Sequence, residues 1–154
     1  MILCSGKTKV KAPIDHVFSC MTDIEIFKKM SFEENRATIK SIEYNKKNPF
    51  GKGERIVVIC EKVKTILIVE ENKSPNYLKI RVIPYQKLNE TFGGGYIETV
   101  LEQRELFTFY NYNFVSDRTP SGFWKVFVKF IGFMYKLSCR RAHNKFNGFV
   151  LEKK

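Results

Sequence analysis

The chain has 154 residues, 44% hydrophobic and 28% charged, which suits one globular domain over 1–154. A domain of this size buries about 70% of its unfolded surface and needs no metal or disulfide to hold a core. No run reaches the ~20 apolar residues that span a bilayer, because Lys125, Lys129 and Lys136 interrupt the longest one, Phe123–Cys139.

The elements read in chain order as one strand, two helices, six strands and a long helix. Residues 2–11 alternate, with Cys4, Thr8 and Val10 on one face and Lys7, Lys9 and Lys11 on the other. Ala12-Pro13 breaks the strand and suits the first turn of a helix, with Asp15 near its positive end. Ile14, Val17, Phe18 and Met21 follow at helical spacing, and Thr22 or Asp23 caps a second short helix carrying Ile26, Phe27 and Met30.

From Arg36 to Val115 the period changes to two, giving strands at about 36–46, 53–62, 64–72, 76–84, 95–105 and 106–115. Asn48–Gly53 and Asn72–Asn76 carry turn chemistry, and short connections imply an antiparallel meander. Leu78, Ile80 and Val82 share one face, as do Ile97, Thr99 and Leu101, which leaves Glu98 and Glu102 to solvent. On the last strand Thr108, Tyr110 and Tyr112 share one face and Phe107 and Phe109 the other; alternation alone does not say which face is inner.

The final helix starts with Thr119 as N-cap and Pro120 in its first turn, and runs to about Asn147, with Gly148 as a stop signal. On a helical wheel its inner stripe reads Phe123, Phe127, Phe130 and Met134, then turns cationic through Ser138, Arg141 and Lys145. The apolar arc covers about 220°, against little more than about 100° for an ordinary surface helix. Either the sheet wraps most of the helix, or part of the arc faces a cavity, a partner or a membrane. Arg141 then either marks a pocket mouth or is solvated where the helix leaves the sheet.

The chemistry-bearing residues are sparse. His16 and His143 form no acid–base pair, and no His/Cys/Asp/Glu group has ligand spacing, so no catalytic residue, metal or cofactor is assigned. Glu33-Glu34 and Glu70-Glu71 read as solvated charges, and the Gly51-x-Gly53 and Gly93–Gly95 stretches as turns, not phosphate loops. Cys4, Cys20, Cys60 and Cys139 match no zinc or redox spacing and read as buried, reduced thiols of a cytoplasmic protein. The N-terminal Met1–Cys4 has no basic segment before its short apolar run, so no secretory signal is expected.

The formal net charge of +11 concentrates at one end, since residues 125–154 hold eight Lys/Arg and one Glu. That end suits either plain solvation or contact with phosphates or an anionic membrane surface. The aromatic count, 14 Phe and 7 Tyr, exceeds what a small core needs and points to a lined cavity.

The stretch Lys9–Asp23, a strand leading through Ala12-Pro13 into a helix that ends near Asp, resembles the opening of the START-like (SRPBCC) superfamily, and Phe50–Glu54 is similar to its Gly-x-Gly turn. The resemblance implies an α+β helix-grip fold: a seven-stranded curved antiparallel sheet around the long C-terminal helix, with two short helices after strand 1. It also implies a cavity between sheet and helix for lipids, sterols, polyketides or other apolar molecules. Phe123, Phe127, Phe130, Met134, Leu78, Ile80, Val82, Ile97, Thr99, Leu101, Tyr110, Tyr112 and Arg141 are the candidate lining residues. Three functions compete: an apolar-ligand carrier or sensor, a cyclase- or dehydratase-like enzyme using Tyr110, Tyr112 or Arg141, and a membrane-surface lipid-transfer protein. The expected partner is a small apolar ligand, with peripheral membrane contact through the basic end. No recognition helix or RNA-binding motif supports a specific nucleic-acid partner, and the state is monomer or homodimer.

Overall fold

The period-two segments form a single seven-stranded antiparallel sheet in the order β1-β7-β6-β5-β4-β3-β2. In this computed structural model, residues 1–34, 39–61, 64–84, 94–119 and 123–153 are described, without the side chains of 32–34, 123–132, 134, 135 and 138. The strands are β1 Ile2–Val10, β2 Ile39–Glu43, β3 Arg55–Cys60, β4 Lys64–Lys73, β5 Tyr77–Pro84, β6 Gly95–Arg104 and β7 Phe107–Ser116. Two helices, α1 Ile14–Met21 and α2 Ile24–Glu34, follow β1, and α3 Phe123–Glu152 ends the chain. Register shifts in β1, β2 and β4 mark bulges, which bend a strand and increase its twist. Glu105, at φ 52°, makes the tight β6–β7 turn with Leu106.

The first helix begins one residue later than the proline rule suggests. Pro13 is the N-cap, and its lack of a capping side chain is made up by Gln103 of β6. The Gln103 amide oxygen accepts the Ile14 N–H at 2.7 Å and lies 3.0 Å from the buried Thr108 hydroxyl, which is 2.7 Å from the Ala12 carbonyl. Asp23, not Thr22, caps α2 by accepting the Glu25 and Ile26 N–H groups at 2.8 and 3.2 Å.

The far end of α3 is tied to the same corner. The His16 imidazole donates to the Val150 carbonyl at 2.8 Å, and Lys153 pairs with Asp23. Here the expected stop at Gly148 is overturned: α3 continues to Glu152. A mid-helix glycine costs about 1 kcal/mol, but Phe146 and the fully buried Val150 pack into the core on either side of it and outweigh that penalty. Of the expected start at Thr119-Pro120, Thr119 is exposed and outside any described helix, and Pro120 lies outside the described residues.

The core lies between the concave sheet and the three helices. It joins Val17, Phe18 and Ile26 of the short helices to Ile56, Val69, Leu78 and Leu101 of the sheet and Phe146 and Val150 of α3. The Asn48–Gly53 loop drops Phe50 into this core, with its carbonyl accepting from Asn72 at 2.8 Å. Gly53, at φ 85°, makes the return possible and donates its N–H to Val69 at 2.7 Å.

Candidate functional site

A cavity of about 330 Å³ opens between the sheet, the two short helices and the C-terminal half of α3. Alternation along the strands supplies one wall. The cross-strand pairs Leu78–Thr99 and Ile80–Ile97 of β5 and β6 border it, as do Tyr110 and Tyr112 of β7. Met21 of α1 and Ile26, Phe27 and Met30 of α2 close a second side, and Phe50 stands edge-on to Phe27 at 6.1 Å between ring centres. Ala142, His143 and Phe146 of α3 close the third.

Tyr110, Tyr112, His143 and Phe146 form an aromatic cluster. The Tyr112 and His143 rings are 4.3 Å apart, Tyr110 meets His143 edge-on at 5.1 Å, and Phe146 meets Tyr110 edge-on at 5.8 Å. The Tyr110 ring is only 3% exposed, and its hydroxyl donates to the Asn147 side-chain oxygen at 2.9 Å. Asn147 in turn donates to the Lys9 carbonyl at 3.2 Å, which joins β7, α3 and β1 through one amide.

Burial sets the protonation states here. It raises the Tyr110 phenol far above its ordinary value and pushes Tyr112 up to about 12. It lowers the His143 imidazole to about 4, so that ring is neutral near neutral pH. Beside the cluster, a hydrogen bond with Cys139 draws the Cys4 thiol down to about 7; a backbone hydrogen bond from Phe114 and the charge of Lys136 act in the same sense, against burial. Cys4 and Cys20 are buried as expected, whereas Cys60 and Cys139 are half-buried, and none of the four is in a disulfide.

Of the residues singled out from the sequence, Leu78, Ile80, Ile97, Thr99, Tyr110 and Tyr112 come together around this cavity. Leu101 belongs to the adjoining core and Val82 is half-buried farther along β5. Arg141 is a correction: it is exposed and stands away from the cavity. The stripe turned inward at this end of α3 is Cys139, His143, Phe146 and Val150, roughly opposite Arg141 on the wheel. Centring the wheel on the aromatic run placed the inner face where that run is densest, whereas the packed end is positioned by Phe146 and Val150. Phe123, Phe127, Phe130 and Met134 lie in α3 but outside the residues whose side chains are described.

His143, Ala142, Phe146 and Phe50 join the site without a sequence signal that marked them. The helical spacing of Ile26, Phe27 and Met30 was visible, but only the fold turns that face toward β5 and β6. The Glu70-Glu71 pair departs from the solvated reading: both are half-buried, Glu70 pairing with Arg81 and Lys79 and Glu71 with Lys73. Among the described residues no His/Cys/Asp/Glu cluster has the makings of a metal site, and no helix is long and apolar enough to cross a membrane.

A second, larger hollow of about 700 Å³ runs outside this cavity, along β1 and α3. Tyr112 and His143 border both hollows and form the wall between them.

No family model matches the sequence, and no curated protein matches it. Solved structures do match the fold. Ara h 8.0201 aligns at TM-score 0.65 and 14% identity over 96% of each chain. A conserved protein from Geobacillus kaustophilus aligns at TM-score 0.67 and 16% identity, covering 96% of this chain and 94% of that one. CalU16 from Micromonospora echinospora aligns at TM-score 0.60 and 13% identity, covering 93% and 74%. The likeness is one of fold, and it agrees with the strand order and long final helix in giving this chain the helix-grip architecture.

Proposed function

We propose that this helix-grip chain binds a small apolar molecule in the cavity between β5–β7, the short helices and α3, acting as a carrier or sensor. The observation that carries the reading is the lining. Leu78, Ile80, Ile97, Met21, Met30 and Phe50 supply apolar surface, while Thr99, Tyr110, Tyr112 and His143 supply a few polar atoms to orient a ligand. A volume of about 330 Å³ lies at the small end of ligand pockets, about 300–1,000 Å³. The ligand class is therefore a compact ring system or a short chain. A phenol held protonated and an imidazole held neutral offer hydrogen bonds without burying charge.

Native mass spectrometry of the gently purified protein, with organic extraction, should reveal a bound apolar compound. Titration with the neutral fluorophore N-phenylnaphthylamine should saturate, and Ala142→Trp, which fills the α3 side of the cavity, should weaken it about tenfold or more. Unchanged fluorophore binding in Ala142→Trp, with no extractable compound, refutes the reading.

A further inference from the structure

The hollow along β1 and α3 has a different chemistry from the inner cavity. It is about 700 Å³, roughly twice the size, and lies beside an edge of the sheet, since β7 is the only described strand next to β1. Lys136 and Arg140 of α3 line it, together with Lys7 and Lys9 of β1, and no carboxylate is among its described lining residues. Two apolar side chains line the same hollow while exposed: Phe133 at 59% and Leu137 at 45%.

Edge lysines by themselves need no ligand, because charge on an edge strand discourages pairing with another chain. Lys7 and Lys9 fit that role, with their ammonium groups 5.2 and 4.9 Å from the Phe109 and Phe107 rings. Lys136, Arg140, Phe133 and Leu137 are not on a strand, and edge protection does not account for them. Along α3 the exposed apolar pair interleaves with the cations in the order Phe133, Lys136, Leu137, Arg140, which sets Arg140 about 10 Å beyond Phe133 at 1.5 Å per residue, with Asn144 and Asn147 farther on. Exposed apolar surface continuous with positive charge that no described carboxylate of the lining offsets is complementary to a molecule with one apolar and one anionic end.

We propose that the groove between β1 and α3 binds an anionic amphiphile, a single alkyl chain bearing a carboxylate or phosphate head. The chain lies over Phe133 and Leu137, and the head meets Lys136 and Arg140, whose guanidinium can take two oxygens at once. This site does not depend on the inner cavity being occupied.

Calorimetric titration with laurate and with lauryl phosphate, below their micelle concentrations, tests it, with lauryl alcohol as the neutral control. Both anions should bind and the alcohol should bind at least tenfold more weakly. The exposed double variant Lys136→Glu/Arg140→Glu should lose about tenfold or more for the anions and leave N-phenylnaphthylamine binding unchanged. Arg140→Ala should lose a smaller part. Ala142→Trp should leave anion binding intact, which keeps this site distinguishable from the inner one. The comparison of the two anions tells which head is preferred. Equal binding of the alcohol, loss of the anions in Ala142→Trp but not in the charge variant, or absence of anion binding would each overturn the proposal. So would retention of protein on phosphatidylglycerol vesicles without binding of the monomeric amphiphiles, which assigns the groove to a membrane surface.

Discussion

The two faces of β7 carry similar aromatic rings and treat them in opposite ways. Tyr110 and Tyr112 are buried on the inner face, whereas Phe107 and Phe109 sit half-exposed on the outer one. Transfer energies alone favour the reverse arrangement, because phenylalanine has no hydroxyl to satisfy. Two local arrangements offset that preference. Asn147 accepts the buried Tyr110 hydroxyl, and Lys9, Lys7 and Arg104 cover the outer rings with their cations 4.9–5.3 Å from the ring centres. The inner face thus holds phenol groups within the sheet–helix interior, and the outer face keeps its aromatic surface covered.

The largest test of this contrast is truncation on each side. Tyr110→Ala should lower the unfolding free energy by about 3–5 kcal/mol, as buried aromatic truncations do. Phe109→Ala should lower it by only about 1 kcal/mol, since its ring is already half in water. Denaturant unfolding of both variants measures the gap, and equal losses would erase the distinction between the faces.

Gly6 sharpens the picture of the inner face. A Cβ there would sit 2.2 Å from the Tyr112 hydroxyl oxygen and 2.4 Å from its ring carbons. Gly6→Ala should therefore cost about 2–3 kcal/mol by overpacking. Gly6→Ala/Tyr112→Leu should lose less than the sum of the single changes in a double-mutant cycle.

The buried imidazole gives a pH signature. His143 is held at about 4 when folded, against an ordinary value near 6.5, so the unfolded chain binds the extra proton first. Its contribution is complete above pH ~6.5 and is lost as pH falls toward 4. The Tm should drop by several degrees across that window, and His143→Gln should flatten the profile there. A profile of wild-type slope in His143→Gln would show that other groups set it. The smallest effect belongs to the outer cover: Lys9→Ala should change stability by about 0.5 kcal/mol, in keeping with an exposed cation–ring contact.

Much of the fold was legible because strand alternation and turn chemistry are local. The six strands after the short helices fall within a few residues of where period two, Asn48–Gly53 and Asn72–Asn76 put them. That Leu78 and Ile80 share one face, and Ile97 and Thr99 another, followed from the same alternation. The phase of β7 did not, because aromatic residues occupy both of its faces. Two helix ends were also misread from local signals. Gln103, distant in sequence, supplies the cap of α1, and core packing carries α3 through Gly148.

By itself, the sequence determined the element order, the antiparallel meander and the abundance of aromatic side chains, since each rests on neighbours along the chain. Only the tertiary structure decided that Tyr110, Tyr112, His143 and Phe146 meet, that Arg141 stands outside, and that Lys136 and Arg140 share a groove with Phe133 and Leu137. Those outcomes depend on the rotation of α3 about its own axis. That rotation is set by which of its side chains reach the sheet, and no periodicity within a helix apolar over about 220° can specify it.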